Sequence, residues 1–219
     1  MFIGHFAVGF AAKRWAREAP LGLLLLAPLF LDVLWPVFCL LGIEQYRILP
    51  DGGPFTRLEF TNYPWSHSLV MSVVWGLVLG ALWKLRGGRT RTAALLAAAV
   101  VSHWVLDWIT HLPDLPLWPG YGPRLGLGLW HSVAGTVVVE SLMLAGGVAL
   151  YLSVTRAKGA IGGLGLWTYL ALLAALYVAS IAGPPPPVGA ERLVSLVGLL
   201  FVVLVPLASW IDGHRTAGG

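Results

Sequence analysis

A chain of 219 residues with 58% hydrophobic side chains and only 11% charged ones cannot cover a water-facing surface, since a soluble domain carries about one charged residue in four. The mean hydropathy of +0.79 points the same way. The formal charge of +4 sits in short loops between apolar runs, which reads as topology control and leaves no case for a nucleic-acid partner.

In chain order, residues 2–17 form a short apolar helix that carries His5. The charges Lys13, Arg14 and Arg17 follow its apolar run, whereas a signal peptide places them first, so the segment reads as retained. It either crosses obliquely or folds back against the bundle. Six long spans follow at about 21–42, 67–85, 92–112, 129–154, 161–182 and 192–211, each near the roughly 20 residues that a bilayer core requires. Breakers separate them: Pro50 to Pro54, Gly87-Gly88, Pro113 to Pro123 and Pro184 to Pro187. Cys39, the single cysteine, lies in an apolar run and excludes an internal disulfide. The fold class is therefore all-α, a polytopic transmembrane helical bundle of six long spans plus a short N-terminal apolar helix. It forms one integral membrane domain over 1–219, with motifs in 1–152 and two further spans in 153–219.

Basic residues orient the bundle. Lys13, Arg14, Arg17, Lys84, Arg86, Arg89, Arg91, Arg156, Lys158 and Arg215 fall on one side, and only Arg47, Arg57, Arg124 and Arg192 on the other. The larger group marks the cytoplasmic side, which turns the loops at about 43–66, 113–128 and 183–191 outward.

Titratable residues at bilayer depth cost roughly 2.5–3.5 kcal/mol each on insertion scales, and are functional hypotheses for that reason. Here they are His5, Asp32, His67, His103, Asp107, His111, His131 and Glu140. His103, Asp107 and His111 recur every four residues, which keeps all three on one helical face. Imidazole, carboxylate and imidazole on one stripe in an apolar medium need a partner, and a divalent metal supplies it. The alternation of spans brings most of this set to the outer half of the bundle. Glu140 reads as a helix–helix contact, and Asp212 and His214 as solvated tail residues.

The order Gly4-His5, Leu31-Asp32, Ser66-His67-Ser68-Leu69 and Ser102-His103 with Asp107 and Thr110 resembles that of the LexA-regulated, predicted membrane-bound metal-dependent hydrolases of the bacterial inner membrane. The likeness covers roughly residues 1–152. It implies a metal site built from His5, Asp32, His67, His103 and Asp107, in a multi-pass inner-membrane protein. Many relatives carry a second Asp and a His after the first span, where this chain has Val33, Leu34 and Trp35. Many also carry a further His where this chain reads Asn62-Tyr63-Pro64-Trp65. A second metal would then have to draw on His111 and His131.

The expected chemistry is hydrolysis with a divalent cation, zinc first, which lowers the pKa of bound water toward about 7. Asp107 or Asp32 would act as general base, and Ser66 or Ser68 would orient the substrate or a ligand histidine. Arg124 or Arg57, in outward loops, would hold a phosphate. The expected partners are the lipid bilayer and an ester or phosphoester, lipids included, reached from the extracytoplasmic side. The rival reading is a transporter of protons or divalent cations that uses the same cluster as a relay. A non-catalytic scaffold is the third.

Overall fold

The computed structural model describes residues 1–217. Five of its helices are long and apolar enough to cross a membrane: Leu21–Leu40 (α2), Thr90–Thr110 (α5), Val133–Val154 (α6), Ala160–Ala182 (α7) and the continuous run Glu191–Gly213. The last consists of α8 (Glu191–Leu200), a 3-10 turn and α9 (Leu204–Gly213). The span expected over 67–85 is shorter. Its chain forms one turn at Pro64–His67 (α3), leaves helical geometry at Ser68, and resumes as α4, Leu69–Leu85, with 17 residues. The count of six long spans thus becomes five plus α4, and the short N-terminal helix contracts to Ile3–Ala12 (α1).

The outward faces of these helices expose Leu77, Leu142, Leu164 and Trp167 by 59–69%. Such a surface suits hydrocarbon as solvent and no other. Inside, α1 is enclosed. Phe6 and Phe10 pack with Leu21, Leu25, Tyr151 and Tyr169 on one side, while Ala12 joins Leu24, Leu31, Leu96 and Val100 on the other. At about 1.5 Å per residue, ten residues reach only halfway across a bilayer core, so the first turn of α1 begins at depth with unpaired N–H groups. Glu140 of α6 meets them: its Oε2 accepts from Phe2 N at 2.8 Å and Gly4 N at 3.0 Å. The helix–helix contact expected of Glu140 is thus a cap.

Close approach of backbones makes this enclosure possible. Pro28 lies inside α2 and supplies no N–H to the carbonyl of Leu24. Gly9 packs on that carbonyl, where a Cβ would stand 2.7 Å from the oxygen. Gly147 of α6 lies as close to the carbonyl of Ala7. Both glycines are needed for contact, not for turning.

Two antiparallel pairs build the loops at the far end from the basic residues: β1 (Gln45–Ile48) with β2 (Leu58–Asn62), and β3 (Leu115–Pro116) with β4 (Arg124–Leu125). A third pair, β5 (Thr155–Ala157) with β6 (Arg215–Ala217), ties the basic end. There Asp212 is not a solvated tail residue. Its carboxylate takes Lys13 Nζ at 2.5 Å, Leu21 N at 3.1 Å and Tyr151 Oη at 2.8 Å.

Candidate metal centre

His103 and Asp107 are one turn apart on α5, and their side chains meet, Nε2 to Oδ2, at 2.9 Å. The expected third member of the stripe leaves the helix: His111 is the C-cap residue, in extended geometry. Its ring still reaches back, with Nε2 3.7 Å from Asp107 Oδ2, while Nδ1 lies 3.0 Å from Asp114 Oδ1. Asp114 also accepts from the hydroxyl of Tyr63 at 2.8 Å. Burial, with Asp114 opposite, pushes that phenol well above its ordinary range.

Two elements bring further donors to this pair. From the end of α3, His67 Nε2 lies 3.2 Å from His103 Nε2. From α2, Asp32 Oδ1 stands 3.6 Å from His67 Nε2 and 3.7 Å from His103 Nε2. Asp107 Oδ2 is 3.9 Å from His67 Nε2. His5 stacks on His103 with ring centres 3.8 Å apart, and its Nε2 approaches Asp107 Oδ1 at 3.1 Å, beside the Met1 nitrogen at 2.5 Å. Two donor sets emerge, Asp32/His67/His103 and His5/His103/Asp107, which share His103. His131, exposed at the end of a 3-10 turn, is in neither.

The outer nitrogens of the two central histidines are committed elsewhere. His103 Nδ1 is 2.7 Å from the carbonyl of Pro28, a group that can only accept, so Nδ1 carries the proton. His67 Nδ1 is 2.7 Å from Ser66 Oγ, whose one proton goes to Glu44 Oε2 at 2.6 Å. His67 Nδ1 must therefore donate as well. Both Nε2 atoms then present lone pairs to each other, with two carboxylates alongside. Acceptors that face each other this closely repel unless a cation stands among them. Ligands about 2.0–2.1 Å from a tetrahedral zinc lie about 3.3–3.4 Å from one another, and the distances here scatter around that value, from 2.9 to 3.9 Å. The residues fit a divalent cation.

Glu44 is the member that the sequence did not disclose. It is 1% exposed, and its Oε1 accepts from the first N–H groups of α3, Trp65 N and Ser66 N, at 2.8 Å each. Burial pushes its carboxyl up in pKa, against these donors. Of the two expected serines, Ser66 belongs to this relay. Ser68 is the N-cap of α4, its hydroxyl accepting from Met71 N at 3.3 Å.

An apolar cleft of about 350 Å³ opens beside Asp32, between α2, the α8–α9 run and the residues before β2. The Asp32 side chain is 41% exposed, against 0–5% for His67, His103 and Asp107, so it is the one donor of this group that reaches open space. Arg57 lines the cleft and donates to the carbonyls of Ser180 and Ile181. Arg124 does not line it. Its guanidinium is spent on the carbonyls of Asp114 and Thr61.

Fold and cluster together define a multi-pass helical membrane protein with a buried histidine–aspartate centre. The chain belongs to the YdjM inner membrane protein family, which it matches over residues 59–184. That stretch contains His67, His103 and Asp107, and it extends into α7, past the limit of about 152 expected from the motifs. His5 and Asp32 precede it. No curated protein and no solved structure matches the chain.

Proposed function

We propose that this protein is a membrane-embedded metal-dependent hydrolase that acts on an ester or phosphoester from the extracytoplasmic side. The observation that carries this reading is the facing pair of Nε2 atoms, each made an acceptor by its own Nδ1 partner. His67, His103 and Asp107 would hold the cation and leave a position for water, with zinc the first choice for a nitrogen–carboxylate set. When bound, it supplies Lewis acidity and activates water at neutral pH.

The remaining work falls to the chain. Glu44, through Ser66, orients the His67 ring, and the Pro28 carbonyl orients that of His103. Asp107 is held on the opposite side by His5. Asp32, alone in reaching the cleft, is the group placed to accept the proton that water gives up as its oxygen bonds to the acyl carbon or phosphorus. Asp32 then returns that proton to the alcohol oxygen as its bond to the carbon or phosphorus breaks. Apolar walls keep bulk water away.

Transport is the weaker reading because a relay must run through the bundle. Below the cluster, α1, α2 and α5 present Phe10, Leu24, Leu25, Leu96 and Val100. The next titratable pair, Lys13 with Asp212, lies at the basic end. Metal analysis of the purified protein decides the point of departure. Wild type should carry a stoichiometric transition metal and His103→Ala should lose it. Equal metal in both would overturn the reading.

A further inference from the structure

The cleft beside Asp32 is apolar in its walls, yet several of the polar atoms in its lining residues lack a partner. Among the described residues, eight buried side-chain nitrogens and oxygens have no hydrogen-bond partner. Four of them belong to residues that line this one cleft: Trp35 Nε1, Trp130 Nε1, Arg57 Nε and Glu140 Oε1. Three of the four are N–H donors. An unmet buried donor is costly, so each such group calls for a partner.

Charge adds to the pattern. Arg57 has no carboxylate within ion-pair distance among the described residues. Its two terminal nitrogens rest on the carbonyls of Ser180 and Ile181, which leaves its charge without a direct ion-pair partner, although Asp32 and Glu140 line the same cleft. The aromatic wall is continuous: Phe60 lies 5.4 Å from Trp35 and 6.5 Å from Trp130, ring centre to ring centre. Trp130 in turn packs on His111 at 4.0 Å. The two indoles are therefore set along the side of the cleft that meets the histidine–aspartate cluster, Arg57 reaches it from beside α7, and Phe6, Leu29, Phe201 and Val205 line the rest. A volume of about 350 Å³ lies within the range of small-molecule sites.

We infer that the cleft binds a single-chain amphiphile with a phosphate head. The phosphate oxygens accept from Trp35, Trp130 and Arg57 beside Asp32, and the hydrocarbon chain lies against the apolar wall. Glu140 Oε1, the one unmet acceptor, takes a hydroxyl or amine of the same molecule. A neutral ester would leave Arg57 unneutralised, and inorganic phosphate would leave the apolar wall empty. This inference takes the position of the head from the hydrolase reading, but it concerns binding and stands or falls separately.

The test is equilibrium binding of radiolabelled hexadecyl phosphate to the full chain in a non-ionic detergent, with hexadecanol and inorganic phosphate as competitors. The expected result is saturable binding that neither competitor displaces at equal concentration. Arg57→Gln should weaken it about tenfold, and Trp35→Phe and Trp130→Phe, which keep the ring and remove the N–H, several-fold each. Unchanged metal content in the three variants shows that the fold is retained. No saturable binding, displacement by hexadecanol, or affinity indifferent to all three substitutions would overturn the inference. Saturable binding without turnover sinks the hydrolase reading and leaves this one. Turnover of a neutral ester with no preference for the phosphate does the reverse.

Discussion

At the scale of single residues, the site divides into groups that would hold a cation and groups that aim them. The first, with His5 and Asp32 beside them, were legible because each is a costly polar residue in an apolar run: His5, Asp32, His67, His103 and Asp107 stand out at once. The second were not. Glu44 reads as an ordinary loop acid until β1 and β2 fold and bury it, and the Pro28 carbonyl is a backbone atom that no residue name discloses. The two serines of Ser66-His67-Ser68 look equivalent and differ only in what they touch. This gives a sharp contrast. Ser66→Ala and Glu44→Gln should each weaken metal affinity about 10–100-fold, the usual effect of losing a group that orients a ligand histidine. Ser68→Ala should leave metal affinity unchanged and cost about 1 kcal/mol in stability, as loss of an N-cap does. Competition with a metallochromic chelator, beside thermal unfolding, separates the two. Equal metal affinity in all three variants would dismiss the Glu44–Ser66–His67 relay.

At the scale of elements, the long apolar helices were expected within a few residues of their observed ends, and the failures occur where local rules compete. Ser68 caps a new helix and so cuts the span expected over 67–85. The hairpin of β1 and β2 lies in a stretch of Gly and Pro that reads as loop, and its alternation is too short to announce itself. The burial of α1 could not be read either, because it depends on two glycines that meet carbonyls of other helices. That dependence is testable. Gly9→Ala would place a Cβ 2.7 Å from Leu24 O, and Gly147→Ala one 2.3 Å from Ala7 O. Overpacking of this kind costs typically about 1–3 kcal/mol. Gly146, one residue away, faces nothing within 4 Å, so Gly146→Ala should be neutral or stabilising by up to about 1 kcal/mol. Thermal unfolding in one detergent checks the order. Because α1 carries His5, the two destabilised variants should also lose metal on heating before wild type does, whereas Gly146→Ala should not.

At the scale of the whole molecule, the two ends differ in charge and in architecture, and these differences have separate origins. Ten basic residues lie in or beside the connections at the end tied by β5, β6 and the Lys13–Asp212 pair. The two outer hairpins, the loop that carries Trp130 and the mouth of the cleft lie at the other. The first property sets insertion: Lys and Arg in short loops stay in the cytoplasm. The second property comes from short-range pairing, since β1 and β2 form one hairpin within the loop between α2 and α3. On the reading proposed above, the cleft opens on the extracytoplasmic side, and a chemical label can report it. In a Cys39→Ser background, Tyr121→Cys places a thiol at a fully exposed loop position, and Arg86→Cys places one at an exposed position of the basic end. A membrane-impermeant maleimide applied to intact spheroplasts should label the first within minutes and the second only after the membrane is opened. The reversed pattern would turn the protein over and put the cleft on the cytoplasmic side. It would also mean that four basic residues had outweighed ten in setting topology, against the usual bias.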